Sequence, residues 1–362
     1  MGQTSEGSPD LVTIDLPSDE VETLQNVVEA VYPATLDLSE ATMMDYYAGL
    51  GHELRSHLPV LAEVVDEFST HTSWKAVVLH LNTPDDLELG PTPIEYLTPE
   101  QNPHLKQDAF RAITLGVADG WYGYGYTSQQ PGNIHNNVIA VKGYYDLEGI
   151  SANPHHELGL HTEDASYNLG EGYNISPDIL TLDFLRNPTG VPTMLSMPNI
   201  DGVGIHNRTI LERAWFANRT NPGQGGADND VDIPVGIVYG NNPEHPWLRI
   251  NTANLGPGPH TAEEAHAMYE LLHQIKLGTI DLELGPGDLL LIDNRRTLHG
   301  RRKYGPNQEP KLDGTDRWQR RLVVSQDAGR IATYEAAPRI VDPGLLFAAA
   351  RTALRDTVSV VV

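Results

Sequence analysis

The chain has 362 residues and 40% hydrophobic content, enough apolar side chain to fill one large core or two ordinary ones, which excludes a disordered chain. Asp and Glu number 49 against 24 Lys and Arg, a formal charge of -25 that repels phosphate backbones and anionic bilayers, so neither nucleic acid nor a membrane is an expected partner. Cysteine is absent, which removes disulfides, thiolate metal sites and a cysteine nucleophile.

The opening MGQTSEGSPD lacks the basic, apolar, small-residue progression of a signal peptide, and no apolar run is long enough to span a bilayer. A cytoplasmic protein is expected. The N-terminal third reads helical, with Ser18 capping a stretch through Val31 and Ser39 capping another through Leu61, each with apolar residues three and four apart. From about Trp74 the texture changes to short β-branched or apolar runs: AVVLHL, NNVIAVKG, DILTLDFLR, VPTMLSM, DIPVGIVYG, DLLLID and RLVVSQD, punctuated by Gly, Pro, Asn and Asp. Many short strands with turn signals argue a mainly β protein with flanking helices, its core a barrel or a double-sheet jelly roll (a double-stranded β-helix). One helix interrupts them, from Thr261 to Lys276, with Thr261 as N-cap, Glu264 completing a capping box and Gly278 soon after its end. Two Gly- and Asn-rich stretches, Asp164 to Pro177 and Ala217 to Asp230, read either as covers over a site or as exposed insertions. With no repeat and no linker in view, residues 1–362 read as a single domain.

The chemistry concentrates in LGLHTEDA, where His161 and Glu163 stand two apart; on a strand such a pair leaves the same face. A third ligand comes from LLLIDNRRTLHGRR, which places His299 just past an apolar strand and beside a glycine. Two neutral imidazoles and one carboxylate on one side of a metal leave positions open for small ligands, the facial arrangement of Fe(II) oxygenases. Downstream, DGTDRWQRRLVVSQD puts Arg317, Gln319 and Arg321 on one face of a strand and Trp318, Arg320 and Leu322 on the other. A buried guanidinium needs an anion, and its fork suits a dicarboxylate that chelates the metal at its far end. The competing reading, a solvated basic strand, fits Arg320 best.

Other histidine clusters are weaker. HHELGLH holds His156, Glu157 and His161, but the spacing is one residue too long for a zinc helix and Gly159 opposes helix, so a zinc hydrolase is a minor alternative. Glu263, His266, Glu270 and His273 share one helix, where a solvated charged face is the simpler reading. GWYGYGYTS lacks a phosphate-loop spacing; Tyr122, Tyr124 and Tyr126 belong to core or pocket wall. A jelly-roll module that binds metal without oxygenase activity is the non-enzyme alternative.

HTE at 161–163, IDNRRTLHGRR around His299 and DGTDRW with Arg317 and Arg321 together resemble the clavaminate-synthase-like branch of the 2-oxoglutarate dioxygenases, which includes hydroxylases of free arginine, asparagine and lysine; the resemblance runs from Gln130 to Asp327. It implies Fe(II) on His161, Glu163 and His299, 2-oxoglutarate as cosubstrate, dioxygen, and a free L-amino acid as substrate, with a setting in specialised metabolism such as antibiotic biosynthesis. It further implies that Arg317 grips the far carboxylate of 2-oxoglutarate, helped by Thr193 and Arg321, while Gln130 and Asn153 hold the amino or carboxylate end of the substrate. The chain departs from the pattern in two places. The YGPNQEPKL loop between His299 and Arg317 is longer, and LRINTAN presents Asn251 and Ala253 where relatives with cationic substrates present aspartates. Either Asp164, beside the triad, serves a cationic tail, or the substrate is neutral or acidic. Hydroxylation, desaturation and ring closure all remain compatible with the pattern, whereas Glu163 speaks against halogenation, which needs that coordination site for the halide.

Overall fold

The computed structural model describes residues 10–70, 74–81, 89–130, 132–219, 233–254 and 258–360. Its first elements are β1 (Leu11–Asp15), α1 (Ser18–Val31), α2 (Glu40–Leu54), α3 (Pro59–Ser69), β2 (Ala76–His80), α4 (Lys106–Val117), β3 (Tyr122–Tyr126) and β4 (Asn136–Val138). Then follow β5 (Leu158–His161), β6 (Ile179–Arg186), β7 (Thr193–Ser196), α5 (Ile205–Leu211), β8 (Val238–Tyr239), β9 (Trp247–Leu248) and α6 (Ala262–Leu277). The last are β10 (Thr279–Leu282), β11 (Asp288–Asp293), β12 (Leu298–Arg301), β13 (Trp318–Ser325), α7 (Ala328–Ala332), β14 (Glu335–Ala337), β15 (Ile340–Val341) and α8 (Pro343–Val360).

A nine-stranded sheet runs β1-β2-β11-β6-β13-β3-β15-β14, with β4 also on β13; a four-stranded sheet runs β10-β7-β12-β5. Helices α1 to α4 cover one face of the large sheet. Alternation along the strands builds two cores: Val77, Leu79, Leu289 and Leu291 pack with those helices, while Ala76, Val78, Leu290 and Ile292 turn to the other face, where Leu195 of the small sheet joins them. The small sheet thus faces the large one across a cleft. Helix α4 lies against α2 at glycine contacts, since a Cβ on Gly51 would stand 2.2 Å from the Ile113 carbonyl oxygen and one on Gly116 2.0 Å from that of Ala48.

Three helix expectations meet the structure differently. Helix α6 carries the foreseen capping box of Thr261 and Glu264. Helix α1 does start at Ser18, but its N-cap is Pro17, and Ser18 is the first helical residue. The stretch from Ser39 to Leu61 is two helices: Ser39 caps α2 as expected, the helix stops at Leu54, and a short turn leads into Pro59, which has no N–H to continue the ladder and instead opens α3. Segment 164–177 packs against the core with Tyr167 and Ile175 buried. Most of the stretch from Ala217 to Asp230, like the first nine residues, lies outside the described residues. Among the described residues no helix is long and apolar enough to cross a membrane.

Candidate metal and 2-oxoglutarate site

His161 ends β5 and His299 sits opposite it in register on β12, so the pairing of the two strands brings the imidazoles together, ring centroids 4.3 Å apart. Glu163 lies two residues past His161 on the same side. Ligand atoms of His161, Glu163 and His299 all fall within 4.8 Å of one another, and all three residues are buried. Gly300 makes that strand pairing possible, because a Cβ there would stand 2.4 Å from the Leu158 carbonyl oxygen.

The surroundings hold His161 and Glu163 in the protonation state a metal needs. His161 Nδ1 donates to the Gly159 carbonyl at 2.8 Å, which leaves Nε2 as the lone-pair atom. Burial, reinforced by the neighbouring His299, brings His161 down to about 4, so it is neutral at pH 7. Burial alone would push Glu163 up, but the Arg321 guanidinium, then His299 and His161, hold it below the usual carboxylate range. Arg321 donates to Glu163 Oε1 at 2.6 Å, and Glu163 Oε2 lies 3.2 Å from His299 Nε2. The backbone of Glu163 is clasped as well: its N–H donates to Asn294 Oδ1 at 2.5 Å, and its carbonyl accepts from Asn294 Nδ2 and Ser176 Oγ. Asp164 follows in the left-handed region at φ 51°, which swings the chain away after the ligand. Two imidazoles and a carboxylate converging this closely are the donor set of a non-haem iron centre, and they fit Fe(II).

A cavity of about 130 Å³ opens onto the triad. Arg317, Gln319 and Arg321 line it together, as the period-two reading of that strand requires. Arg317 is buried; its Nη2 donates to Thr193 Oγ1 at a long 3.4 Å, the Tyr304 hydroxyl is a second side-chain hydrogen-bond partner, and its Nε is left without one. Burial lowers its proton affinity and the Tyr304 hydroxyl beside it works the other way. A buried guanidinium with an unspent fork fits a carboxylate such as the far end of 2-oxoglutarate. The solvated-strand reading of Arg320 is overturned: it is fully buried on the opposite face, donating to Asn102 Oδ1 at 2.7 Å, the His135 carbonyl at 3.1 Å, the Pro103 carbonyl and Asp108 Oδ2 at 3.1 Å.

The four residues expected to meet the substrate divide. Gln130 lines the cavity, but its amide closes a local loop, donating to the Asn137 carbonyl and accepting from the Asn137 N–H. Asn153 does not line it; its side chain ties the loop before β5, donating to the Tyr145 and Leu147 carbonyls and accepting from the His155 N–H. Asp164 accepts from Gln129, and Asn251 accepts from the Ala253 N–H while its backbone bridges to His161; neither is among the lining residues. The zinc-helix reading fails because HHELGLH runs into strand β5, with Glu157 paired to Arg302. On α6, Glu263, His266 and His273 are exposed, as a solvated face requires. Tyr124 and Tyr126 belong to the core.

Sequence reasoning missed Gln129, whose Oε1 accepts from Arg321 and whose Nε2 donates to Asp164, linking them beside the triad. It also missed Asn294, although that residue sits inside the quoted IDNRRTLHGRR segment, and the wall residues Tyr96, Tyr144 and Ser151, which irregular segments deliver without any periodicity. The Tyr96 and Tyr144 rings lie 5.2 Å apart, tilted at 57°, and burial pushes the Tyr96 hydroxyl up to about 12, so it stays a donor.

Comparison with known proteins agrees with this geometry. Residues 237–322 match the model of the taurine catabolism dioxygenase TauD, TfdA family. The chain is 32% identical to an enduracididine beta-hydroxylase of Streptomyces hygroscopicus over 75% of its own length and 83% of that protein. It is 25% identical to an L-ornithine/L-arginine 3-hydroxylase of Catenulispora acidiphila, over 77% and 85%. The crystal structure of the non-haem iron oxygenase OrfP in complex with Fe and alpha-ketoglutaric acid shares the fold, with a TM-score of 0.75 at 20% identity, covering 91% of this chain and 99% of that one. The chain therefore belongs to the TauD/TfdA family of iron- and 2-oxoglutarate-dependent dioxygenases, in its clavaminate-synthase-like branch.

Proposed function

We propose that this protein hydroxylates an unactivated carbon of a free L-amino acid or a close derivative, using Fe(II), 2-oxoglutarate and dioxygen. The observation that carries the reading is the convergence of His161, Glu163 and His299 on a cavity that also holds the underused Arg317 guanidinium. When bound, iron supplies oxygen insertion into a C–H bond coupled to decarboxylation of 2-oxoglutarate to succinate. His161, Glu163 and His299 would hold the metal through two imidazole nitrogens and one carboxylate. Arg317, with Thr193 beside it, takes the far carboxylate of 2-oxoglutarate and so fixes the end that reaches the metal. Arg321 orients Glu163 and offers its remaining donor capacity to a carboxylate in the cavity, while Gln129 keeps that guanidinium in place. The Tyr96 and Tyr144 wall excludes water from the reacting carbon.

The likeness to enduracididine and ornithine/arginine hydroxylases supports an amino-acid substrate and a setting in specialised metabolism, antibiotic biosynthesis included. To the same proposal belong a double-stranded β-helix (jelly roll) as the name for the two facing sheets and a cytoplasmic location, where reducing conditions keep iron ferrous. The test is succinate release from 2-oxoglutarate across a panel of free L-amino acids, with mass spectrometry of each product. A substrate-dependent signal with a gain of one oxygen atom is expected; succinate that no amino acid stimulates would refute the reading.

A further inference from the structure

Charge is distributed unevenly around the cavity. Among the described residues, Arg301, Arg317, Arg321 and Glu163 are the charged lining residues other than the metal-ligand imidazoles, carried by β12, by β13 with the residue before it, and by the chain just after β5. Glu163 is already matched by Arg321 at 2.6 Å. Arg301 is buried, and its Nη groups donate to the carbonyls of Arg302, Asn153 and His156, all of them neutral acceptors. An iron(II) ion and a 2-oxoglutarate dianion cancel each other's charge, so loading the centre preserves the excess of guanidinium.

The rest of the cavity lining carries no charge among the described residues. Val138, Tyr144, Ile150 and Leu158 give it an apolar surface, and Gln129 and Asn136 add carboxamides. Asp164 Oδ1 accepts from Gln129, Asp316 accepts from the N–H groups of Lys311 and Leu312, and neither residue lines the cavity. A cationic side chain entering here would lose its water, find among the described lining residues only the Glu163 carboxylate, already matched by Arg321, and meet the same sign of charge. An uncharged side chain would meet apolar carbon and amide or hydroxyl groups able to satisfy its polar atoms.

We propose that the substrate of this site is an amino acid with an uncharged side chain, and that arginine- and ornithine-like side chains are rejected. This rests on the hydroxylase reading above and narrows it, in contrast to what the names of the two relatives would suggest.

The experiment compares isosteres that differ in charge: citrulline with arginine, and glutamine with ornithine and with glutamate. Two readouts are used on the holoenzyme. One is kcat/KM from succinate with product mass; the other, free of turnover, is the affinity with which each amino acid perturbs the visible band of the anaerobic Fe(II) and 2-oxoglutarate complex. The expected result is a preference of about tenfold or more for the uncharged member of each pair in both readouts. Arginine matching citrulline, ornithine matching glutamine, or glutamate surpassing glutamine would overturn the proposal. A band that forms and that no free amino acid perturbs would instead overturn the amino-acid reading beneath it, and the proposal with it. Placing a carboxylate on the uncharged wall by Ile150→Asp is expected to shift the arginine to citrulline ratio about tenfold toward arginine; an unchanged ratio, with the band intact, would mean that the side chain does not meet this wall.

Discussion

The two faces of β13 carry the same residue type to opposite ends. On the helix-covered face, Arg320 spends its Nη donors on Asn102, Asp108 and two backbone carbonyls, and Arg111 joins the same group by pairing with Asp108 at 2.8 Å. On the cleft face, Arg317 meets only the hydroxyls of Thr193, at a long 3.4 Å, and Tyr304, while Arg321 is divided between Glu163 and Gln129. Burial is thus common to all three, and what separates a structural arginine from a binding one is how much of its donor capacity the protein has already used. The helix-covered network holds the strand; the cleft face of that strand presents donors to a ligand.

Substitutions on each face should separate stability from binding. The largest effect expected is for Arg320→Met, which leaves Arg111 as the one guanidinium on Asp108 and strips several buried acceptors; urea denaturation should show a loss of about 3 kcal/mol. A loss below about 1 kcal/mol would break the comparison, because it would make Arg320 dispensable to the fold. Arg317→Ala should weaken 2-oxoglutarate binding by about 1.5 to 3 kcal/mol, roughly 10- to 150-fold in Kd, while iron binding is retained and stability falls less than in the Arg320 variant. Normal cosubstrate affinity, measured by calorimetry, would remove Arg317 from the site.

The smallest effect sharpens the contrast through pH. Asp183 stands in register with Arg320, and its carboxyl is pushed up to about 7, by burial first and by Asp108 in part, against the pull of Arg111 and Arg320. Its proton is held more tightly in the folded chain than in the unfolded one. The stability it contributes is fully present below pH 4 or so and is lost as pH rises through 7. Asp183→Asn should abolish that part of the slope, and denaturation curves at pH 5 and pH 8 that keep the parent difference would contradict the assignment.

Much of the site was legible because its residues lie on regular strands or directly beyond them. His161 and Glu163 two apart, His299 at the start of a paired strand, and Arg317 with Arg321 four apart all follow from period-two geometry, which needs no tertiary knowledge. Arg320 was misread because alternation assigns a face and says nothing of what covers it; here α4 does, and that helix is almost entirely buried with Asp108 and Arg111 inside it, so it has no polar stripe to announce it. Both Gln129 and Gln130 line the cavity, and what separates them is local. Gln130 occupies a left-handed turn position at φ 36°, which folds its amide back on its own loop and leaves the neighbour facing the triad. Asn294 clasps Glu163 across 131 positions of sequence, a separation that no local pattern can register.

The most direct test of the central claim is the visible charge-transfer band of the anaerobic protein with Fe(II) and 2-oxoglutarate, recorded for the parent chain and for His299→Ala. A weak band in the parent that is absent from the variant is the expected result, because the metal then sits on the His161, Glu163 and His299 triad and carries the cosubstrate. A folded parent chain with no band, or a band undiminished without His299, would contradict that assignment.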